Sequence, residues 1–266
     1  MDQEIQVVID NEKCTGCGRC VADCQRHVLE IQNNKAVINT TRQCFKCGHC
    51  FAICPAQAVQ LSGLDDEIME LTGKPPFLDE KSLKTHLKCR RSIRQYKRNP
   101  VEKEKIEKII EAGRLTPTAS NSQNVRYIVI QNEIETIEDA VIAQYTTSSE
   151  LLAQSESYVM PPYGLGADRL KRGFLFQGAP LVILNISPSE INACLAAMSM
   201  ELMAEALGLG AVYVGLFARP ANKNMKLREA LGIAKEEIIA ACLAIGYPDV
   251  QYLRSAPKKA ANITWK

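Results

Sequence analysis

Two cysteine runs of identical spacing lie within the first 54 residues of this 266-residue chain. Each run has the form Cys-x2-Cys-x2-Cys-x3-Cys. The cysteines are Cys14, Cys17, Cys20 and Cys24 in the first run and Cys44, Cys47, Cys50 and Cys54 in the second. A [4Fe–4S] cube needs four thiolates, and two-residue gaps let one tight loop supply three of them. The pattern therefore predicts an iron–sulfur module with two cubes.

The last cysteine of each run is predicted to bind the other cube, as in ferredoxins with two clusters. We assign one cluster to Cys14, Cys17, Cys20 and Cys54, and the other to Cys44, Cys47, Cys50 and Cys24. Gln25 stands where the second run has Pro55, which we interpret as a local loop change. Structural zinc, which usually takes separated Cys pairs, and disulfides, which need an oxidising compartment, are the competing interpretations.

The segment from Glu4 to Leu61 resembles the bacterial two-cluster ferredoxins. Strand-like residues precede both cysteine runs: Ile5, Val7 and Ile9 before the first, and Ala36, Val37 and Ile38 before the second. This internal repeat agrees with the duplicated cysteine spacing.

Two domains are expected, because about two hundred residues remain after the cysteine-rich segment and suffice for a second core. We place the ferredoxin domain at 1–62, a linker at 63–82 and the second domain at 83–266. Pro75-Pro76 favours an extended linker. Ile68, Met69 and Leu71 suggest a short helix within it.

Charge and hydropathy exclude several classes of function. The formal net charge is +2, with acidic and basic residues interspersed, so no nucleic-acid face is expected. The cysteine module starts within a few residues of Met1, which leaves no room for a signal peptide, and no apolar run approaches the length of a membrane span. We expect a cytoplasmic protein without nucleic-acid or membrane partners.

A basic stretch, Arg90, Arg91, Ser92 and Arg94, opens the second domain. Guanidinium groups suit bidentate hydrogen bonds to phosphate, so an anion site is one interpretation. A solvated basic helix end is the other. A helix with apolar positions at Ile106, Ile109, Ile110 and Leu115 follows, and then a polar loop from Pro117 to Gln123 and a strand from Tyr127 to Ile130.

This ordered set of motifs resembles the FMN-dependent nitroreductase family over 83–266. The shared pattern is the Arg-rich start, a helix and a Pro-[Ser/Thr]-x-x-Asn-x-Gln loop. Three further stretches extend the resemblance: Gly178-Ala179-Pro180 before the strand at 181–184, the helix Ala193–Leu207 before Ala211–Phe217, and the strand Ile239–Ile245 before the basic tail. The resemblance implies an α+β fold with a mostly antiparallel sheet, in a homodimer whose C-terminal extension often completes the partner's sheet.

The resemblance also implies a set of FMN contacts. The phosphate, ribityl chain and pyrimidine side of the ring would be held by Arg90, Arg91, Ser92 and Arg94, with Lys258 or Lys259 near the phosphate. The loop residues Pro117, Thr118, Ala119, Asn121 and Gln123 would reach the flavin across the dimer interface. The backbone of Gly215 and Leu216 would lie near the flavin N5, since glycine permits close approach.

The expected activity is an FMN- and iron–sulfur-dependent oxidoreductase. Cubes carry single electrons and flavin can release two together, so the clusters would feed FMN, which would reduce a small organic acceptor such as a nitroaromatic or a quinone. An external ferredoxin or NAD(P)H would be the donor. The alternatives are an electron-transfer relay to a partner protein, and another flavin enzyme such as a dehalogenase, an enoate reductase or a cofactor-biosynthetic oxidase.

No catalytic side chain is required by this chemistry. A proton could come from water or from Ser157, Tyr158 or Tyr163, which lie in a Pro/Gly-containing loop. Other reactive residues have ordinary interpretations: exposed loop positions for His27 and His49, buried small side chains for Cys89, Cys194 and Cys242, and core or dimer interface for Met198, Met200 and Met203.

Overall fold

The computed structural model describes residues 6–63, 66–71, 73, 78–152 and 171–266, and for 146–152 it describes the backbone only. The chain forms two compact units. The first comprises Met1–Phe77 with Thr118–Ser122, and the second comprises Leu78–Pro117 with Gln123–Lys266.

The first unit consists of short elements arranged as a repeat. They are β1 Gln6–Ile9, α1 Arg19–Asp23, β2 Leu29–Gln32, β3 Lys35–Ile38, α2 His49–Ala52 and β4 Val59–Ser62. β1 pairs antiparallel with β4, and β2 pairs antiparallel with β3. The strand expected before each cysteine run is therefore present, as β1 and β3. Ile5 lies outside the described residues.

The second unit is built on a four-stranded antiparallel sheet in the order β5-β6-β8-β7. Its elements are α3 Glu80–Cys89, α4 Lys103–Arg114, β5 Arg126–Ile130, α5 Ile134–Leu152, β6 Leu181–Ser187, α6 Glu190–Ala206, β7 Gly210–Tyr213, α7 Gly215–Lys223, α8 Met225–Ala230 and β8 Ile238–Gly246. The antiparallel sheet flanked by helices agrees with the expected α+β class.

Helices cover both faces of this sheet, and its inner strand β6 is apolar except for Asn185 and Ser187. All seven residues of β6 are buried. Val182, Leu184 and Ile186 belong to a core cluster with residues of α5 and α7. Leu181 and Ile183 belong to a second cluster with residues of α4 and α6. Successive side chains of a strand point to opposite faces, and here each face meets its own helix pair.

Two sequence expectations about elements were wrong. Leu115 follows the last residue of α4 and is exposed, because the helix ends at Arg114 and its apolar stripe ends with it. Residues 66–71 adopt no helix, and Ile68, Met69 and Leu71 are exposed. Only these three apolar residues interrupt an acidic stretch, and that is too few to bury a helical face. No helix in the described ranges is long and apolar enough to cross a bilayer.

A buried carboxylate fixes the turn that leads into β6. Glu138 on α5 is 1% exposed and accepts three backbone hydrogen bonds, from Leu175 at 2.7 Å, Phe176 at 3.1 Å and Gly173 at 2.5 Å. Leu175 and Phe176 are buried, so their N–H groups have little access to water and need the carboxylate as a partner.

We expect Glu138→Ala to destabilise the second unit by at least about 2 kcal/mol, because it leaves the buried N–H groups of Leu175 and Phe176 unpaired. Glu135→Ala on the same helix is the matched control. Glu135 is exposed and pairs with Arg172 at 3.1 Å, so its removal should cost less than about 1 kcal/mol. Urea unfolding followed by circular dichroism measures both changes, and equal losses would contradict the assigned role of Glu138.

Candidate functional site

Four cysteines of the first unit line one cavity. Its wall contains Cys14, Cys17, Cys20 and Cys54 together with apolar side chains such as Ile9 and Val59. Three of these cysteines come from the first run and one from the second. This is the grouping predicted for the first cluster.

The second group is visible in the electrostatics of Cys50. Burial raises the pKa of its thiol to about 11, and the nearby thiolates of Cys44, Cys47 and Cys24 raise it further. In the first group, burial likewise raises the pKa of Cys20, with contributions from Cys54 and Cys14. The pKa of Cys50 is therefore affected by three members of its predicted set, and the pKa of Cys20 by two members of its set. A bound cation or cluster would reverse these shifts, since thiolate is the ligand form.

Backbone amides point at four of the cysteine sulfurs. The N–H···S hydrogen bonds run from Ala36 to Cys14 at 3.3 Å, from Val28 to Cys24 at 3.4 Å, from Lys46 to Cys44 at 3.3 Å and from Ala58 to Cys54 at 3.3 Å. For Cys54, burial opposes ionisation, but the amides of Ala58 and its neighbours outweigh it and lower the pKa. Amide donors to sulfur stabilise thiolate and tune the potential of a bound cluster.

The two cysteine loops share one backbone conformation. Gly18 and Gly48 both have positive φ, 74° and 76°, and each stands directly before a short helix. Gly16 at φ 68° corresponds to Lys46 at φ 53°. Among the described residues, no three His, Cys, Asp or Glu side chains are arranged around a single-ion site.

The packing around the two glycines of the first loop differs. A Cβ on Gly16 would lie 2.2 Å from the backbone oxygen of Asn34, whereas a Cβ on Gly18 would meet nothing within 4 Å. Asn34 is in the β2–β3 turn, and its carbonyl cannot move without moving that hairpin. Position 16 therefore requires glycine for two reasons: the Asn34 carbonyl leaves no room for a Cβ, and the φ angle is positive.

We expect Gly16→Ala to abolish assembly of the first cluster, while Gly18→Ala, which has a similar φ angle but open space, largely retains it. Iron and sulfide per chain would fall to about half in the first variant, because one of two cubes is lost. Electron paramagnetic resonance of the dithionite-reduced protein identifies the remaining cluster. Equal iron loss in both variants would show that backbone strain, and not the contact with Asn34, determines whether the first cluster assembles.

The Arg-rich segment of the second unit runs beside β7. Ile93 is buried and its N–H donates to the carbonyl of Ala211 at 3.0 Å. A Cβ on Gly210 would lie 2.2 Å from Ile93, so glycine permits this approach. Arg91 stacks over the Tyr252 ring at 5.6 Å, and Arg94 is exposed.

Arg90 forms an ion pair that sequence reasoning missed. Its Nη1 donates to Glu201 Oε1 at 2.6 Å, and the Glu201 side chain is 1% exposed. Glu201 Oε2 is buried and accepts no hydrogen bond from the described part of the chain. One turn further along α6, Glu205 lies 2.8 Å from His86 of α3. The signal for this pair was a Glu inside an otherwise apolar helix, where an unpaired charge is too costly to keep.

Tyr213 and Glu205 complete this polar cluster. Burial raises the pKa of the Tyr213 hydroxyl, and the Glu201 carboxylate raises it further. Burial also raises the pKa of Glu205, which His86 and Arg90 oppose. An anion placed near Arg90 would therefore meet a guanidinium whose charge is partly balanced by Glu201.

We expect Arg90→Leu to cost about 3–5 kcal/mol of stability, because it leaves the Glu201 charge buried without its partner. Replacing both residues by Leu should recover most of that loss. Arg91→Leu is the control and should cost less than about 1 kcal/mol, since Arg91 contributes only its contact with the Tyr252 ring. Urea unfolding distinguishes these outcomes, and a stable Arg90→Leu single variant would contradict the structural role.

The predicted flavin-loop residues are divided between the two units. Thr118, Ala119 and Asn121 belong to the first unit, while Pro117 and Gln123 belong to the second. Asn121 Nδ2 donates to the backbone oxygens of Lys46 at 3.0 Å and Phe45 at 3.4 Å. The backbone of Ser120, Asn121 and Gln123 has positive φ, between 45° and 55°. Strained non-glycine backbone of this kind often marks a functional loop.

The backbone expected near the flavin N5 forms the start of α7. Gly215 is the first residue of the helix, and a Cβ there would meet nothing within 4 Å. The packing of the protein therefore does not demand glycine, and an open side faces away from the core. Leu216 is half-buried, and its carbonyl accepts a hydrogen bond from the Tyr145 hydroxyl at 2.6 Å.

The remaining predicted residues have mixed outcomes. Lys258 and Lys259 are exposed in a C-terminal tail, 251–266, without helix or strand.

Cys242 is buried as expected, but Cys89 and Cys194 are exposed, so that expectation was wrong for both: they lie on the outward faces of α3 and α6. Met200 is buried in the core. His27 and His49 are exposed as expected. Ser157, Tyr158 and Tyr163 lie outside the described residues.

Comparison with known proteins assigns both parts of the chain. Residues 87–247, more than half of the sequence, match the model of the nitroreductase family. The chain belongs to the nitroreductase family. Residues 13–59 match the 4Fe-4S dicluster domain, so this family member carries a ferredoxin-type module at its N-terminal side. Both expected resemblances are confirmed, and with them the prediction of an oxidoreductase.

Individual relatives agree with each half of this nitroreductase-family chain. A protein of Archaeoglobus fulgidus with the provisional name NADH dehydrogenase/NAD(P)H nitroreductase is 29% identical over 161 residues, which are 60% of this chain and 81% of that protein. Ferredoxin-2 of Desulfomicrobium norvegicum is 55% identical over 31 residues, 12% of this chain and 52% of the ferredoxin.

Solved structures share the fold of the second unit. A nitroreductase with bound FMN from Desulfitobacterium hafniense superposes with a TM-score of 0.53 at 19% identity, covering 70% of this chain and 100% of that one. A nitroreductase with bound FMN from Bacteroides fragilis has a TM-score of 0.52 at 19% identity, covering 71% of this chain and 99% of that one. At these identities the likeness concerns the fold.

Proposed function

We propose that this protein is an FMN-dependent reductase in which two in-chain [4Fe–4S] clusters deliver electrons to the flavin. The observation that carries the proposal is the cavity in which Cys54 of the second run meets Cys14, Cys17 and Cys20 of the first, in a chain that also contains a nitroreductase domain. When bound, FMN would accept single electrons and pass two together to an organic acceptor.

The ferredoxin-type residues have three tasks in this proposal. Cys14, Cys17, Cys20 and Cys54 would hold one cube, and Cys44, Cys47, Cys50 and Cys24 the other. The amides directed at four of these sulfurs would raise the cluster potentials by stabilising negative charge. The apolar wall around the first group would limit access of water and oxygen.

The FMN-binding residues would be those named from the family pattern. Arg91 and Arg94 have no acidic partner among the described residues, so their charge is available to the FMN phosphate together with Lys258 or Lys259. Arg90 would contribute from its position on Glu201, and Ser92 from its hydroxyl. Gly215 offers an open backbone at the start of α7, which fits an approaching ring.

The loop from Pro117 to Gln123 would contact the flavin, as the family pattern implies. In the first unit Asn121 of this loop is hydrogen-bonded to the backbone between Cys44 and Cys47. No side chain needs to act as a nucleophile, because the electrons pass through the cofactors.

A homodimer is the proposed assembly. Ile191, Leu195 and Met198 recur at helical spacing along α6 and are exposed. This apolar stripe is unusual on a helix whose opposite side lies in the core, and such stripes commonly mark interfaces. The exposed Leu253 and Trp265 of the C-terminal tail are further apolar groups that a second copy would cover.

The test is an anaerobic preparation with measured iron, sulfide and FMN. Flavin bleaching is followed by stopped-flow absorbance with reduced ferredoxin or with NAD(P)H, and p-nitrobenzoate or a quinone is then added. We expect rapid bleaching by ferredoxin and reoxidation by the acceptor. Bleached flavin that neither acceptor reoxidises would favour the relay alternative.

Cysteine variants locate the point of electron entry. Cys17→Ser and Cys47→Ser should each slow ferredoxin-driven bleaching by at least about tenfold, because single electrons reach the flavin through the cubes. Cys89→Ser, an exposed cysteine outside both runs, is the control and should leave the rate unchanged. Absence of FMN, or full ferredoxin-driven rates in both cluster variants, would refute the proposed function.

A further inference from the structure

Helix α7 contains a proline that deprives its own first turn of a hydrogen bond. Pro220 lies inside the helix, four residues after Leu216. In an α-helix the N–H of residue 220 would donate to the carbonyl of residue 216, but proline has no N–H. The pyrrolidine ring also crowds that carbonyl and turns it away from the helix axis. The Leu216 carbonyl therefore needs a partner from outside the helix.

Tyr145 supplies that partner. Its hydroxyl donates to the Leu216 oxygen at 2.6 Å, which is a short hydrogen bond for an O–H donor. Tyr145 lies on α5, which packs against α7, and its ring is partly buried against the core cluster that contains Phe217 and Ala221. The hydroxyl is thus held by packing and replaces the hydrogen bond that Pro220 removes.

The hydrogen bond from Tyr145 acts only at the N-terminal end of α7. Val214 accepts the N–H groups of Phe217 and Ala218, at 3.1 Å and 3.4 Å, so the next residues are held by the helix itself. Gly215 has open space on the side where its Cβ would stand. The Leu216 carbonyl belongs to the Leu216–Phe217 peptide, so in the first turn of α7 this peptide is held at its N–H by Val214 and at its oxygen by Tyr145.

We propose that Tyr145 is a positioning residue that, together with Pro220, fixes the Gly215–Leu216 backbone against the flavin. The inference rests on the proposed function, in which this backbone meets the ring. With the Leu216 carbonyl held by Tyr145, the first turn of α7 stays closed although Pro220 removes one of its hydrogen bonds. Without it, the Leu216–Phe217 peptide is held at its N–H alone, and the turn that carries Gly215 and Leu216 can open.

The test compares Tyr145→Phe, Pro220→Ala and the double variant in the full chain. Tyr145→Phe removes only the hydroxyl. FMN affinity should fall about fivefold, the equivalent of one ordinary hydrogen bond. Pro220→Ala returns an N–H to the helix, so the double variant should regain the wild-type affinity. Pro220→Ala alone should bind FMN as the wild type does, because the carbonyl can accept two hydrogen bonds.

Two readouts separate positioning from general stability. FMN affinity is measured by quenching of flavin fluorescence, and the midpoint potential of the bound flavin by redox titration. The potential should shift in Tyr145→Phe and return in the double variant. Tyr247→Phe is the control: it removes a hydroxyl bonded to Glu102 and Lys105, away from α7, and should leave both quantities unchanged.

Each result decides the inference. Unchanged affinity and potential in Tyr145→Phe would overturn it, and so would a loss that Pro220→Ala does not restore, since the carbonyl would then not be the cause. A wild-type protein that binds no FMN would refute the proposed function itself. That outcome is recognised before any variant is made.

Discussion

The first unit depends on the meeting of its two cysteine runs. The cavity lined by Cys14, Cys17 and Cys20 of the first run also contains Cys54 of the second, and Cys24 of the first run lies near enough to Cys50 to affect its pKa. The unit is small, with short strands and a core formed largely by the cysteines and a few apolar residues. A core of this size contributes little stability, and small domains usually need cross-links or metals. Four-thiolate clusters shared between both halves would serve that purpose.

The second unit obtains its stability differently, from a sheet that is covered on both faces. β6 is buried along its whole length, and the helices α4 and α6 on one side and α5 and α7 on the other shield it. Two buried carboxylates in this unit have assigned partners: Glu138 accepts from three backbone amides, and Glu201 pairs with Arg90. Helix α7 carries Gly215 and Leu216, which are proposed for flavin binding, and α6 carries Glu201, the partner of Arg90. Rigid packing thereby holds Arg90, Tyr145 and the start of α7 in place.

The sequence was most informative where the chemistry fixes the spacing. The cysteine runs predicted both groups of thiols, because cube geometry tolerates few alternative loops. Regular strands such as β5 and β6 were also predictable from their apolar residues. The partners of single polar residues were not. The pairing of Arg90 with Glu201 joins residues 111 positions apart, and the contact of Asn121 with Lys46 joins residues 75 apart. No local pattern encodes such long-range contacts, and Leu115 shows that even a periodic stripe does not mark where a helix ends.

The hydrogen bonds between Glu138 and the turn at 173–176 have a consequence for how this chain can change during evolution. The carboxylate fixes the point at which the chain re-enters the sheet, near the beginning of α5 and not at its end. Residues of α5 and of the turn are thus coupled, and a substitution that shifts α5 along its axis would move the start of β6 with it. Position 138 should accordingly change less freely than exposed positions of the same helix, such as Glu135.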